Sequence, residues 1–117
     1  MTRRLRLTLR VDADNAPALG HGKIRLLEQI EQTGSISAAG RAMGMSYRRT
    51  WLLVDSVNRL FAEPVVSARP GGGGGARLTE SGREVLALYR QAEEQATQGA
   101  ADTLRRLEDY LAPVASS

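Results

Sequence analysis

The chain has 117 residues, enough for one compact domain with a single hydrophobic core. It contains no cysteine and one histidine, so disulfides and thiolate metal sites are excluded, and we expect no metal ion and no cofactor. The basic start lacks the apolar run of a signal peptide, and no stretch approaches the roughly 20 apolar residues that span a bilayer, which favours a cytoplasmic protein without a membrane partner.

The formal net charge of +3 is distributed unevenly along the chain. Residues 1–34 carry 6 basic and 4 acidic side chains, residues 35–79 carry 6 and 2, and residues 80–117 carry 4 and 7. The middle of the chain is therefore its basic part. A basic centre indicates an anionic partner there, whereas the acidic end is better suited to packing or solubility.

The first third of the chain predicts a strand, a loop and a helix. In the segment Leu5–Leu9, leucines alternate with polar residues, a period of two that predicts a short edge strand with one buried face. Residues 12–19 are rich in alanine and include Pro17, which predicts a loop. We expect the first helix to start near residues 20–23 and to end at Gly34, because glycine adopts the left-handed conformation that closes a helix.

Two further helices follow with very little chain between them. Ser35 is a good N-cap for a short helix that ends at Gly44, and Ser46 can cap a third helix over residues 46–61. Ala39 is small enough to let the two helices cross closely. This arrangement predicts a helix-turn-helix.

The residues after Pro64 predict a β-hairpin that forms a wing over residues 65–79. One strand covers residues 65–69, a second covers residues 76–78, and the glycines at 71–75 lie at the tip. The fold class is therefore α+β, mainly α: a winged helix-turn-helix domain at its core.

A long final helix is predicted over residues 80–112, with Thr79 as its cap and Gly99 as a candidate break. Its apolar stripe continues past the length that a small domain needs to cover its core. We therefore expect a homodimer held by this helix, with residues 1–79 as the DNA-binding domain. The predicted dimer contacts are Leu104, Leu107 and Leu111.

The exposed face of the third helix indicates a DNA contact, because it combines hydrogen-bond donors, guanidinium groups and an aromatic ring. Helix 46–61 is expected to read the major groove of double-stranded DNA, and the wing at 69–77 its backbone or minor groove. The predicted contacts are Ser35, Ser37, Ser46, Tyr47, Arg48, Arg49, Trp51, Arg69 and Arg77. Plainer interpretations are solvated arginines, serines that act as helix caps, a glycine tract that is a disordered linker, and a Trp51 half-buried against the first helix or a dimer partner.

Three segments of the chain resemble the N-terminal domain of ModE-type molybdate-dependent transcription regulators, over about residues 20–95. They are Gly34–Trp51, with its Met-Ser-Tyr-Arg-Arg-x-Trp motif, Val54–Phe61, and the glycine-rich wing Arg69–Thr79. The Leu-Thr-x-x-Gly step that ends at Gly82 is similar to that of LysR-type regulators. The resemblance implies a dimeric transcription factor whose long helix after the wing is a dimer contact.

Regulators of that family carry C-terminal molybdate-binding domains, for which a chain ending at Ser117 has no room. No molybdate-binding domain is therefore expected. The resemblance then leaves two readings: a DNA-binding member that receives its signal from a separate effector-binding protein, or a shortened relative with different regulation.

Two alternatives to a DNA-binding regulator share the same fold. One is a protein-interaction module in which Trp51 and Leu52 anchor a partner, and the other is an anti-regulator that pairs with a full-length relative. The clustered arginines favour DNA, because a protein-docking surface tends to lose charge at its centre. We expect no catalytic residues and no enzyme, since no Ser, His and Asp group has a spacing that indicates a triad. His21 is interpreted as a surface residue and not as a metal ligand.

Overall fold

The computed structural model describes residues 3–68 and 75–114 of the chain. Its four helices are α1 (His21–Thr33), α2 (Ile36–Ala42), α3 (Tyr47–Arg59) and α4 (Glu80–Glu108). The strands β1 (Val11–Ala13), β2 (Ala16–Leu19), β3 (Val66–Ala68) and β4 (Ala76–Leu78) pair as two antiparallel hairpins, β1–β2 and β3–β4. This is the predicted winged helix-turn-helix with a long final helix. Within the described ranges, no helix combines the length and apolar character that crossing a bilayer requires.

The hydrophobic core is built around α1, which packs against α2, α3, α4 and β4. Its apolar positions recur at helical spacing, so one face of the helix is buried along most of its length. The buried core residues are Ile24, Leu26, Leu27, Ile30, Ile36, Ala39, Val54, Val57, Val65, Val66, Ala76, Leu78 and Tyr89.

The predicted helix boundaries in this part of the chain are confirmed by the cap geometry. Gly34 ends α1 with φ of 68°, in the left-handed region that suits glycine. The side chains of Ser35, Ser46 and Thr79 each accept a hydrogen bond from a backbone amide in the first turn of the following helix. The donors are the amides of Ala38, Arg49 and Gly82.

Helices α2 and α3 cross at Gly40. A Cβ at this position would lie 2.2 Å from Oγ1 of Thr50, so the Thr50 side chain occupies the space that any side chain at residue 40 would need. Ala39, which we expected at the crossing, is fully buried in the core beside it. The Thr50 hydroxyl donates to the backbone oxygen of Ser46 at 2.7 Å, which satisfies this buried polar group. The orientation of α3 relative to α2 is therefore set by direct packing.

The wing is hydrogen-bonded on one side to α3 and on the other to the residue that ends α1. The side-chain oxygen of Asn58, in the last turn of α3, accepts from the backbone amides of Val65 at 2.8 Å and Val66 at 3.0 Å. Its amide nitrogen donates to the Val66 carbonyl at 3.2 Å. On the other side, the backbone amide of Ala76 in β4 donates to the Gly34 carbonyl at 2.9 Å. The base of the wing therefore keeps a fixed position beside α2 and α3.

The first turn of α4 packs directly on the loop that precedes β3. A Cβ at Gly82 would lie 2.0 Å from the carbonyl oxygen of Val65, so only glycine fits this contact. Thr79 closes the same junction, since its hydroxyl donates to the Pro64 carbonyl at 2.7 Å and its amide to the Val65 carbonyl at 3.0 Å. These contacts explain why threonine and glycine occur three residues apart at the start of this helix.

The predicted edge strand at Leu5–Leu9 is wrong, although the alternation in burial is right. The three leucines are half-buried and the residues between them are exposed, but this extended segment lies along α4 and has no strand beside it in the described part of the chain. The Leu5 amide donates to the Glu108 carboxylate at 2.6 Å, and the Tyr89 hydroxyl donates to the Leu9 carbonyl at 2.5 Å. A period of two records one buried face, and here a helix covers that face.

The predicted loop over residues 12–19 is also wrong, because this stretch forms the hairpin β1–β2. Asp14 has φ of 54°, a left-handed conformation that Asp and Asn tolerate better than other non-glycine residues. Asp14 and Asn15 thereby make a two-residue turn. Pro17 is accommodated because each strand of a two-stranded sheet has an unpaired edge.

Helix α4 is continuous through Gly99, so the candidate break is absent. A glycine costs an exposed helix about 1 kcal/mol relative to alanine, too little to interrupt 29 residues of good helix formers. The helix is tied to α1 by Arg90, whose guanidinium contacts the Glu28 carboxylate at 2.5 and 3.1 Å. This hydrogen bond raises the pKa of Arg90 above its usual value.

Candidate nucleic-acid interface

The first turn of α3 presents three exposed polar side chains in succession, Tyr47, Arg48 and Arg49. Within residues 3–68 and 75–114, neither Arg48 nor Arg49 forms a salt bridge. An unpaired guanidinium can bind phosphate or the edge of a guanine with two hydrogen bonds. At the other end of this helix, Arg59 pairs with Asp55 at 2.9 Å. The arginines available to an anion therefore lie at the beginning of α3.

Trp51 does not lie on the exposed face where the helical spacing placed it. It is half-buried and packs against the hydrophobic core, as the plainer interpretation held. The rings of Tyr47 and Trp51 meet edge to face, with centroids 6.2 Å apart and planes at 73°. The aromatic surface offered outward is therefore the ring of Tyr47, which is 59% exposed, and Trp51 supports it from below.

The three serines of the predicted interface have different surroundings. Ser35 and Ser37 are half-buried at the start of α2, and Ser46 is exposed in front of α3. The hydroxyls of Ser35 and Ser46 both accept backbone amides as N-caps. Ser35 also pairs with Gly75 in an isolated antiparallel bridge, which brings the returning strand of the wing to the start of α2.

The wing carries one predicted contact in the described part of the chain. Arg77 is exposed in the middle of β4, between the buried residues Ala76 and Leu78. The alternation of the strand therefore directs Arg77 away from the core. Residues 69–74 lie outside the described residues, so the contact predicted for Arg69 stays a prediction.

On the flank of α3 away from Asn58 lies an apolar groove of about 420 Å³. Its lining residues are Gly22, Met43, Met45, Arg49, Leu52, Leu53 and Ser56. Leu52 is 59% exposed, while the two methionines and Leu53 are half-buried. The protein-interaction alternative already used Leu52 as an anchor, but the sequence did not indicate that this groove lies beside it.

Sequence reasoning missed the residues that position the interface. Gly40 is buried and Asn58 is half-buried, yet they set the packing of α3 on α2 and the position of the wing. The available signal was weak: a glycine beside the expected alanine, and a polar residue in the last turn of an amphipathic helix. Both roles depend on residues that only the tertiary structure brings together.

The predicted dimer leucines do not share one exposed stripe. Leu104 is half-buried and lines a groove with the extended segment that contains Leu5 and Leu7. Leu111 is half-buried near the start of that segment. Leu107 is 52% exposed, and Tyr110, which the sequence analysis did not single out, is 88% exposed. The apolar surface left uncovered at the end of α4 therefore centres on Leu107 and on Tyr110, which lies just after the helix.

These features define a winged helix-turn-helix domain with a cationic first turn on the second helix of the pair. No protein-family model matches the chain. A solved structure of a LysR family transcriptional regulator has the same fold, with a TM-score of 0.56 and 17% sequence identity over 72% of this chain and 28% of that one. Within the described residues, no group of three or more His, Asp or Glu side chains is placed to hold a metal ion.

Among the proteins similar to this chain in sequence are two named ModE. The molybdenum transport protein ModE of Azotobacter vinelandii is 44% identical over 85 residues, which are 71% of this chain and 32% of the relative. The DNA-binding transcriptional dual regulator ModE of Escherichia coli K12 is 38% identical over 69 residues, 57% of this chain and 26% of the relative. ModE-type regulators are therefore homologues of this chain, which confirms the resemblance found in its motifs. The chain spans at most about a third of the length of these relatives.

Proposed function

We propose that this chain is a DNA-binding transcription regulator and not an enzyme, with α3 in the major groove and the wing on the backbone or in the minor groove. The observation that carries the proposal is the start of α3, where Tyr47, Arg48 and Arg49 are exposed and neither arginine has an ion-pair partner in the described chain. The E. coli relative is named as a DNA-binding regulator, which supports the same function here.

The contacts divide into two kinds. Arg48 and Arg49 carry planar forks that suit guanine edges, and Tyr47 adds a hydroxyl and an aromatic face. Arg77 extends from a strand that is hydrogen-bonded to Gly34, between α1 and α2, so we assign it to phosphates. Trp51 acts through Tyr47, whose ring it supports.

The genes controlled are proposed to serve molybdenum transport or use, because the A. vinelandii relative is named for molybdenum transport. The regulator is proposed to act in the cytoplasm as a homodimer. The exposed Leu107 on α4 and the exposed Tyr110 just after this helix support a second copy as the partner, since apolar surface outside the core is stabilised by burial. Two copies would present two recognition helices to a site with two-fold symmetry.

The test is fluorescence anisotropy with a duplex selected by the protein from genomic DNA and a scrambled duplex of equal length. Arg48→Ala should weaken binding to the selected duplex by ~1 to 3 kcal/mol, as expected for a lost base contact. It should also reduce the preference for the selected duplex over the scrambled one. Arg77→Ala should weaken binding to both duplexes about equally. It should also make the plot of log binding constant against log salt concentration shallower by about 1 unit of slope.

Arg105→Ala is the matched control, because Arg105 is an exposed arginine in the second half of α4. It should change the affinity for either duplex by less than about 0.5 kcal/mol. If Arg48→Ala and Arg77→Ala bind both duplexes as the parent does and keep its circular dichroism, the proposed assignment of the DNA contacts to α3 and the wing is wrong. The protein-interaction module would then be favoured.

A further inference from the structure

Leu52 is a large apolar side chain in the middle of the proposed DNA-reading face of α3. It is 59% exposed, whereas the other leucine of this helix, Leu53, is half-buried. The residues one turn before and after it, Arg48 and Ser56, are both exposed. Burial of an exposed leucine against a partner lowers the free energy, because it removes apolar surface from water.

The direction of Leu52 follows from the helix geometry. With 3.6 residues per turn, Leu52 lies about 40° around the axis from Arg48 and about 160° from Thr50. Thr50 is fully buried, so Leu52 points almost directly away from the core. A surface that approaches Arg48 therefore also meets Leu52.

The major groove of DNA has one apolar feature that a leucine can contact, the 5-methyl group of thymine. Side chains one helical turn apart are separated by about 6 Å along α3, which corresponds to about two base pairs. A thymine methyl within that distance of the base contacted by Arg48 is in reach of Leu52. The apolar groove beside Leu52 offers a protein partner as a competing explanation, but its other apolar side chains are half-buried and do not share this outward direction.

We propose that Leu52 is a specificity-determining residue that contacts a thymine methyl in the major groove, within about two base pairs of the base bound by Arg48. The inference rests on the proposed DNA-binding function and adds a thymine methyl group to the features by which the protein recognises its DNA site. The arginines then supply recognition of charge and guanine, and Leu52 supplies recognition of a methyl group.

The test replaces each thymine of the selected duplex, one at a time, with uracil, which removes the 5-methyl group and keeps the base pair. The parent protein should lose about fourfold in affinity at one thymine of a half-site, the amount expected for one buried carbon, and nothing at the others. Leu52→Ala should bind the unmodified duplex more weakly and lose nothing further from that same replacement. Because Leu52 is exposed, this variant should keep the fold, which circular dichroism checks.

Leu88→Ala is the matched control, since Leu88 is a 54% exposed leucine on α4, and it should keep the parent's sensitivity to uracil. If the parent does not distinguish the selected duplex from a scrambled one, the proposed function itself fails. If the parent discriminates but no single uracil weakens it, or if Leu52→Ala responds to uracil as the parent does, Leu52 reads no methyl group and the inference is overturned. The inference would also be overturned if Leu52→Ala bound the duplex as the parent does but no longer bound a partner protein.

Discussion

The two ends of the molecule are constructed differently. At one end, α1, α2, α3, the hairpin β3–β4 and the start of α4 enclose the core, and Tyr89 is its last buried residue. At the other end, the described residues 90–114 contain no buried residue, and the second half of α4 is accompanied by the extended segment that precedes β1. At the first end, packing within the chain holds the surface residues of α3 and the wing in position. The second end is longer than the core requires and leaves the apolar side chains of Leu107 and Tyr110 exposed.

The largest expected effect comes from the same substitution made at both ends. Gly82→Ala should lower the free energy of unfolding by ~3 kcal/mol, because the new methyl group would overlap the Val65 carbonyl. Gly99→Ala should raise it by ~0.5 to 1 kcal/mol, since no atom lies within 4 Å of the added carbon and alanine is the better helix former. Urea denaturation of the two variants and the parent measures both values.

Equal changes in the two glycine variants would contradict the contrast between the ends. Loss of stability in Gly99→Ala would show that this part of α4 is closely packed against a neighbour, and the neighbour would be a second copy. The same variants measured over a range of protein concentration separate these cases, because the stability of a dimer depends on concentration.

The next effect concerns the end that carries the proposed DNA contacts. Asn58→Ala should lower the free energy of unfolding by ~2 kcal/mol, because the buried amides of Val65 and Val66 lose their acceptor. Ser56→Ala, an exposed position on the same helix, is the control and should change it by less than about 0.5 kcal/mol. If Asn58→Ala is as neutral as the control in urea denaturation, the wing does not depend on this side chain.

The sequence predicted the parts of the fold whose signals are local. N-caps and a left-handed glycine act on their own helix, so Ser35, Ser46, Thr79 and Gly34 marked boundaries that the structure confirms. The wing strands could be predicted because a proline precedes the first of them and a run of glycines separates the two. Exposure of the first turn of α3 followed from helical spacing alone.

The remaining features depend on contacts between distant residues. Leu5–Leu9 has the pattern of a half-buried strand, and nothing local distinguishes a neighbouring strand from the side of α4. Trp51 lies at the edge of the exposed arc of α3, where burial is decided by the adjacent core. The hairpin at 12–19 did have a local signal in Asp14-Asn15, and it was outweighed by the alanines and Pro17.

A third prediction tests the partner surface at the far end of α4. Leu107→Glu should weaken a homodimer by about tenfold or more, because burial of a leucine contributes ~1.5 to 3 kcal/mol and the new carboxylate would have to be desolvated. Gln91→Glu adds the same charge at an exposed position of the same helix and should leave the dimer intact. Sedimentation velocity at micromolar concentration measures both. A parent that is monomeric throughout, or a Leu107→Glu dimer of unchanged strength, places the interface elsewhere.

The smallest expected effect is at the junction of the two ends, where the Tyr89 hydroxyl donates to the Leu9 carbonyl at 2.5 Å. Burial raises the pKa of Tyr89 above its usual 10.0, so the folded state favours the neutral phenol. The stabilisation is therefore complete below about pH 10 and is lost as the pH rises through the raised pKa. Tyr89→Phe should be less stable than the parent by ~1 kcal/mol at pH 8 in urea denaturation. That difference should narrow above pH 10, and a constant difference up to pH 11 would show that the phenol does not titrate with folding.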